Sequence, residues 1–271
     1  MTRAAEQLDR LIAILEKLRS PTGCPWDRAQ DLRSMRPYLV EEAYEVLEQL
    51  DAAAAGAPLR PLCEELGDLL FQIAFHAQIA REQGAFDLAD VCQAICDKIE
   101  FRHPHVFGDR KVQEGDDVDG WWVALKKQER QAKTGDAGSV LDGVPPQAPA
   151  LLRAERLTEK ASKVHFDWKK LEDVRGKVDE ELAELDEALR GGDRVRIEEE
   201  LGDTLFALAN LGRWVKAPPE DALRGTLGRF VERFHYIEEK LAERGKDPAG
   251  STLEEMDALW DEAKKALHAK P

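Results

Sequence analysis

The chain has 271 residues, with 54 acidic and 39 basic side chains, a formal net charge of −15 and 43% hydrophobic residues. That length holds one large or two ordinary domains with real hydrophobic cores, and the composition excludes wholesale disorder. The acidic surplus is spread over both halves, which argues against a generic nucleic-acid scaffold and against attraction to an anionic membrane surface.

No apolar run reaches membrane-spanning length, and the N-terminus leads directly into a polar–apolar pattern without a signal-peptide core. Cys24, Cys63, Cys92 and Cys96 form neither a disulfide framework nor a zinc ribbon, and Cys92 and Cys96 read as small core residues. A reducing, cytoplasmic location is expected.

In chain order the pattern is helical. Leu8, Leu11, Ile12 and Leu15 recur at the helical period and predict an opening helix. Breakers at Ser20-Pro21-Thr22-Gly23-Cys24-Pro25 and Ala55-Gly56-Ala57-Pro58 bound a segment carrying Glu41, Glu42 and Glu45. Then comes Glu64-Glu65-Leu66-Gly67-Asp68, followed by Leu-Leu-Phe-Gln-Ile-Ala-Phe. That run is apolar on nearly every face and predicts a buried helix. Within it, His76 reads as a core histidine. Lys98 and Arg102 follow four apart, before His103-Pro104-His105.

Trp122 and Lys126 are also four apart, and Trp121 reads as packing. The Gly- and Pro-rich stretch that follows has linker composition. The expected organisation is a helical domain over 1–135, a linker over 136–150 and a second helical domain over 151–271.

The second half repeats the first. Glu180, Glu181 and Glu184 precede Glu199-Glu200-Leu201-Gly202-Asp203. Arg229 and Arg233 match Lys98 and Arg102; Trp260 and Lys264 match Trp122 and Lys126. The first and second acidic clusters are separated by 23 residues in one half and 19 in the other. Such a repeat is too long for a solenoid unit and fits a duplicated domain. Trp214, near the next breaker at Ala217-Pro218-Pro219, reads as packing.

At about 100° per residue, Glu180, Glu181 and Glu184 share one helix face. Taken alone, that is the solvated side of an amphipathic helix. Three acids at the mouth of a buried helix are different, because they repel, lose hydration and call for a cation. Gly67 and Gly202, each costing about 1 kcal/mol in a helix interior, suggest close helix approach. Two such helices packed antiparallel would face carboxylates at one another. All-oxygen ligation suits Mg²⁺ or Mn²⁺, and Mg²⁺ with open positions commonly handles phosphate. Arginine forks and a Trp–Lys face suit phosphate oxygens and a base.

These residues resemble the MazG family of nucleoside triphosphate pyrophosphohydrolases along essentially the whole chain. Further matching strings are Gly23-Cys24-Pro25-Trp26-Asp27, the segment from Pro37 through Glu45, Arg102-His103-Pro104-His105-Val106-Phe107 and Phe166-Asp167-Trp168. The resemblance implies an all-α, two-repeat, Mg²⁺-dependent homodimer. It would cleave nucleoside triphosphates between the α- and β-phosphates, a reaction that suits nucleotide-pool housecleaning. It places metal ligands at Glu181, Glu184, Glu200 and Asp203, with Glu42, Glu45, Glu65 and Asp68 as matching positions in the first repeat. Nucleotide contacts fall on Lys177, Arg196, Arg229, Arg233, Trp260 and Lys264. Arg196 and Arg229 stand where the resemblance implies lysine. Glu180 or Glu199 would orient water, without a choice between them. The precedent puts activity in the second repeat, and the sequence supports it, since Tyr38 and Pro61 stand in the first repeat at the places of Lys177 and Arg196.

Two rivals stand beside this reading. A di-iron carboxylate bundle would use Glu100–His103 and Glu232–His235, but these are out of register with the repeat and only one occurs per half. A non-catalytic helical interaction module would bind no metal and hydrolyse nothing.

Overall fold

The computed structural model describes residues 2–108, 125 and 138–268. Among these the regular structure is helical and no strand forms, in line with the all-α expectation. Trp121, Trp122, Lys126 and the first two linker positions lie outside the described residues. The chain divides into two compact units, Met1–Lys133 and Thr134–Pro271.

The first unit contains α1 (Arg3–Arg19), α2 (Pro25–Ala29), α3 (Arg36–Ala54), α4 (Arg60–Glu82), α5 (Leu88–Arg102) and α6 (Pro104–Phe107). Local chemistry sets these boundaries. Thr2 accepts from the Ala5 N–H at the start of α1. Asp87 and Asp90 form a reciprocal capping box on α5, satisfying donors that a helix start leaves unpaired. Gly56, at φ 93°, turns the chain between α3 and α4 in a conformation that glycine adopts freely. The core gathers Leu15, Met35, Ala74, Phe75, Ala77, Ile79 and Leu88, which packs α4 against α1 and α3.

The second unit contains α7 (Ala150–Ser162), α8 (Leu171–Gly191), α9 (Arg194–Trp214), α10 (Pro219–Glu243) and α11 (Leu253–His268), with a 3₁₀ turn at Pro248–Gly250. Gly192, at φ 69°, ends α8 in the left-handed conformation. Asp193 then caps α9 by accepting from the Val195 and Arg196 N–H groups. This two-residue connection closes α8 and α9 into a tight hairpin. A cluster of Ile237, Leu241 and Leu259 joins α10 to α11, with Phe234, Met256 and Trp260 packed against it.

Among the described residues, each unit carries a long-range ionic clamp at the end of its long helix. Arg19, 7% exposed, donates Nε and Nη2 to the two Glu82 oxygens at 2.8 and 2.7 Å. Its Nη1 donates to the Asp27 and Gln30 carbonyls, and its guanidinium lies 5.1 Å from the Phe75 ring centroid. One side chain thus ties α1, the α2 turn and the end of α4. In the second unit Asp167 accepts from Arg213 Nη2 at 2.7 Å and from the Trp214 indole N–H at 3.1 Å. Trp214 therefore fastens a loop to the end of α9 as well as packing.

Three expectations are corrected. The apolar run on α4 is not buried all round: Leu66, Leu70 and Ile73 are 48%, 42% and 41% exposed. The corresponding Leu201, Leu205 and Leu208 on α9 are exposed to the same degree. Each unit covers one side of its long helix and leaves the other open. Gly67 and Gly202 do not mark close approach within the chain, since a Cβ at either would meet nothing within 4 Å. Cys92 and Cys96 are exposed on α5 rather than in the core.

The clamps make stability acid-sensitive. Arg19 holds the Glu82 carboxyl below its usual range. Burial pushes Asp167 up, but Arg213, Trp214 and the Trp168 N–H outweigh it and the carboxyl ends below its usual range. A depressed folded-state pKa contributes stability above the unfolded value, about 4, that is lost as pH falls through the folded value. The melting temperature should therefore drop below about pH 4. In thermal denaturation between pH 3 and 7, Glu82→Gln and Asp167→Asn should each flatten that drop, and Arg19→Met should cost about 2–3 kcal/mol. Unchanged acid slopes in both carboxylate variants would remove the clamps as its origin.

Candidate metal and nucleotide site

The α8–α9 hairpin sets the site. Two adjacent helices joined by two residues bring the carboxylates of α8 opposite those at the start of α9. Oxygens of Glu181, Glu184 and Glu200 converge within 4.8 Å of one another. Glu181 is 6% exposed, and its Oε2 is buried without a hydrogen-bond partner. A desolvated carboxylate oxygen left unpaired is costly, and a cation among these oxygens would remove the cost. The donors are hard carboxylate oxygens without Cys or His, a set that fits Mg²⁺ or Mn²⁺.

Two basic residues flank the trio. Lys177 Nζ lies 2.7 Å from Glu180 Oε1 and 2.8 Å from Glu181 Oε1. Arg196 reaches Glu187 Oε2 through Nη2 at 3.3 Å and Glu200 Oε1 through Nε at 3.5 Å. The hydrogen bonds that Lys177 donates to Glu180 and then Glu181 push its ammonium well above its ordinary range. The charge of Glu187 raises the Arg196 guanidinium, outweighing the loss of hydration that would lower it.

The remaining expected residues are placed as follows. Glu199 and Asp203 are exposed on α9, and Asp203 lies outside the convergent trio. Arg233 lies 5.4 Å from the Trp260 ring centroid, and the Phe230 ring is 5.3 Å from Trp260. Trp260 also packs against the α10–α11 core, so its packing role is real. Arg229 donates to the Thr226 hydroxyl at 2.8 Å. Lys264 pairs with Asp261 at 2.9 Å.

The first unit has a similar hairpin. Oxygens of Glu42 on α3, Glu45 on α3 and Glu65 on α4 converge within 4.8 Å. Asp68 stands outside this trio, but its charge acts on both Glu42 and Glu65. Burial, then the neighbouring carboxylates, push the Glu65 carboxyl up. Burial also raises Glu42, against a hydrogen bond from Gln72 that lowers it. Gln72 is 5% exposed, donates Nε2 to Glu42 Oε1 at 3.4 Å and leaves its Oε1 buried and unpaired. His76, half-buried rather than core, has Nδ1 on the Gln72 carbonyl at 2.7 Å. On the rival Glu-x-x-His pattern, His103 ends α5 with its Nδ1 on the Ile99 carbonyl at 2.8 Å.

The sequence reading missed Gln72 and Glu187. Gln72, a lone amide in an apolar run one turn beyond Asp68, carried a signal. Glu187 carried none, because its partner is fixed by the hairpin.

A family model described as the MazG nucleotide pyrophosphohydrolase domain matches residues 30–107. The chain is 42% identical over 262 residues to the nucleoside triphosphate pyrophosphohydrolase of Escherichia coli K12, covering 96% of this chain and 97% of the relative. It is 43% identical over 264 residues to the nucleoside triphosphate pyrophosphohydrolase/pyrophosphatase MazG of Thermotoga maritima, covering 97% and 98%. A Mycobacterium tuberculosis nucleoside triphosphate pyrophosphohydrolase matches 60% of the chain, over 47% of its own length, at 37% identity.

The raised carboxyls of the first unit yield a prediction. A carboxyl whose folded pKa lies above its unfolded value costs stability as pH rises through the folded value. Glu65→Gln should therefore raise the melting temperature at pH 7 in the presence of chelator and change it little near pH 4. Added Mg²⁺ or Mn²⁺ should stabilise the wild type more than the variant. A variant that melts lower than wild type in chelator at pH 7 would show that repulsion is not the controlling force.

Proposed function

The chain belongs to the MazG nucleotide pyrophosphohydrolase family, and we propose that it hydrolyses nucleoside triphosphates to nucleoside monophosphate and pyrophosphate at the α8–α9 hairpin. The observation that carries this reading is the convergence of Glu181, Glu184 and Glu200 around a buried, unpaired carboxylate oxygen, with Lys177 and Arg196 beside them.

Glu181, Glu184, Glu200 and Asp203 would hold Mg²⁺, or Mn²⁺ in its place, which when bound neutralises triphosphate charge and polarises phosphorus. Lys177 and Arg196 bind phosphate oxygens. Arg229, Arg233 and Lys264 supply further positive charge, and Trp260 offers a face to the base. Glu180 or Glu199 orients a water in line with the α-phosphorus. The water oxygen bonds to that phosphorus as the bond to the α–β bridging oxygen breaks. Pyrophosphate leaves with its charge matched by the basic residues, and the water proton passes to solvent or carboxylate.

The two units are read as tandem MazG-like repeats, 1–135 and 151–271 around a 136–150 linker, with the second catalytic. The first keeps acids at Glu42, Glu45, Glu65 and Asp68 but has Tyr38 and Pro61 where the second has Lys177 and Arg196. A homodimer is the proposed assembly. It would cover the apolar faces of α4 and α9, and it would use Gly67 and Gly202 for the close approach that the single chain does not make. No helix among the described residues is long and apolar enough to cross a membrane. With the acidic surface, that supports a cytoplasmic enzyme of nucleotide-pool housecleaning that binds no nucleic acid.

A panel of nucleoside triphosphates assayed with Mg²⁺ should yield monophosphate and pyrophosphate, with turnover lost in chelator. Release of orthophosphate with a diphosphate product would refute α–β cleavage. Folded Asp203→Asn should lose turnover by at least ~100-fold, because a ligand charge is replaced by a poor oxygen donor. Folded Asp68→Asn should keep most of it. The opposite pattern would move catalysis to the first unit, and activity in both variants would sink the shared carboxylate mechanism.

A further inference from the structure

Lys177 and Arg196 are arranged alike. Each spans two acids, one inside the convergent trio and one outside it. Lys177 spans Glu181 inside and Glu180 outside. Arg196 spans Glu200 inside and Glu187 outside. An acid of the trio that gives charge to a divalent cation holds its basic neighbour more weakly, even where its second oxygen stays with that neighbour. The outside acid then decides where the loosened basic group stays.

For Arg196 the matter is sharper. It lies in the first turn of α9, where the helix dipole disfavours positive charge. Its Nε edge is the one at Glu200, and its Nη2 is the one at Glu187. A guanidinium is a planar fork, so an anion fixed at one edge orients the others. Glu187 lies on α8, one turn beyond Glu184 and on the same face. Its side chain is 63% exposed and that of Arg196 is 44% exposed, so the pair adds little to stability. What it sets is direction.

We propose that Glu187 is a positioning residue, holding the Arg196 guanidinium at the mouth of the acidic site for a phosphate group once Glu200 serves the cation. This rests on the nucleotide-binding reading above. Without Glu187 the guanidinium collapses onto Glu200, where it competes with the cation and is withdrawn from phosphate. Glu187 also repels a triphosphate directly, and the two effects have opposite signs. That opposition makes the role testable.

The experiment is a double-mutant cycle on the full chain. Binding of an α,β-methylene nucleoside triphosphate with Mg²⁺ is measured by calorimetry, alongside KM and kcat for the hydrolysable nucleotide. In the Arg196 background, Glu187→Gln should raise both Kd and KM about tenfold, with kcat and the melting temperature nearly unchanged. In the Arg196→Met background the same substitution should leave Kd unchanged or lower it, because only the repulsion remains.

Unchanged or tighter binding of Glu187→Gln in the Arg196 background would overturn the proposal. So would equal weakening in both backgrounds. Loss of Mn²⁺ affinity on Glu187→Gln that persists in the Arg196→Met background, measured without nucleotide, would also overturn it, by making Glu187 a ligand. A wild type that binds the analogue in this pattern but releases no pyrophosphate refutes the assigned reaction and leaves the positioning role standing. A wild type that binds no analogue overturns both.

Discussion

The repulsion among carboxylates gathered at a helical hairpin is the constraint on which the rest depends. Three acids whose oxygens lie within 4.8 Å cannot all be charged and partly dehydrated without compensation. The second unit answers with cationic side chains: Lys177 and Arg196 rest on Glu181 and Glu200. The first unit answers with a neutral donor, as Gln72 reaches Glu42 from within α4. Ala207 occupies the corresponding place on α9, so the amide and the two cations are alternative solutions on similar scaffolds. They differ in consequence. A lysine or arginine that leaves its carboxylate can meet a phosphate, whereas a buried amide cannot.

The hairpin can hold this charge because its other side is anchored. The Arg19–Glu82 and Asp167–Arg213 clamps both fasten the far end of the long helix, α4 or α9, to a segment outside the hairpin. The polarity is reversed between them. In the first unit the cation comes from α1 and the acid from the long helix; in the second the acid comes from a loop and the cation from the long helix. Each clamp is well separated along its helix from the acidic cluster. Neutralising charge at one end thus coexists with repulsion at the other, and packing of residues such as Phe75 carries the load between them.

Much of this was legible in the sequence. Helical periodicity gave the elements, and Gly191-Gly192 and Ala217-Pro218-Pro219 mark the boundaries of α8 with α9 and of α9 with α10, as breakers should. Glu181 and Glu184 were legible as neighbours because a spacing of three residues fixes a face before any tertiary structure is known, whereas Glu200, on the next helix, was joined to them through the family resemblance. Other features were not legible, for physical reasons. Periodicity marks Leu66, Leu70 and Ile73 as apolar but cannot say whether the covering surface belongs to the same unit. Cys92 and Cys96 share that ambiguity on α5. A glycine such as Gly67 marks permitted approach, not the partner that approaches. The Arg196–Glu187 pair depends on how α8 and α9 lie across Gly192 and Asp193, which no local pattern encodes.

The contrast between the units also bears on the family match. The matched segment, residues 30–107, falls in the first unit, the one with Gln72 and without counterparts of Lys177 and Arg196. A match to the acidic scaffold therefore does not itself locate turnover. The scaffold supplies a place suited to a cation; in the proposed mechanism turnover would further require positive groups that can transfer from carboxylate to phosphate. Both requirements meet at α8 and α9, where the unpaired Glu181 oxygen lies beside two cations already held at its rim. On this reasoning the proposed division of labour would follow from which neutralising group each hairpin carries, rather than from how many acids it has kept.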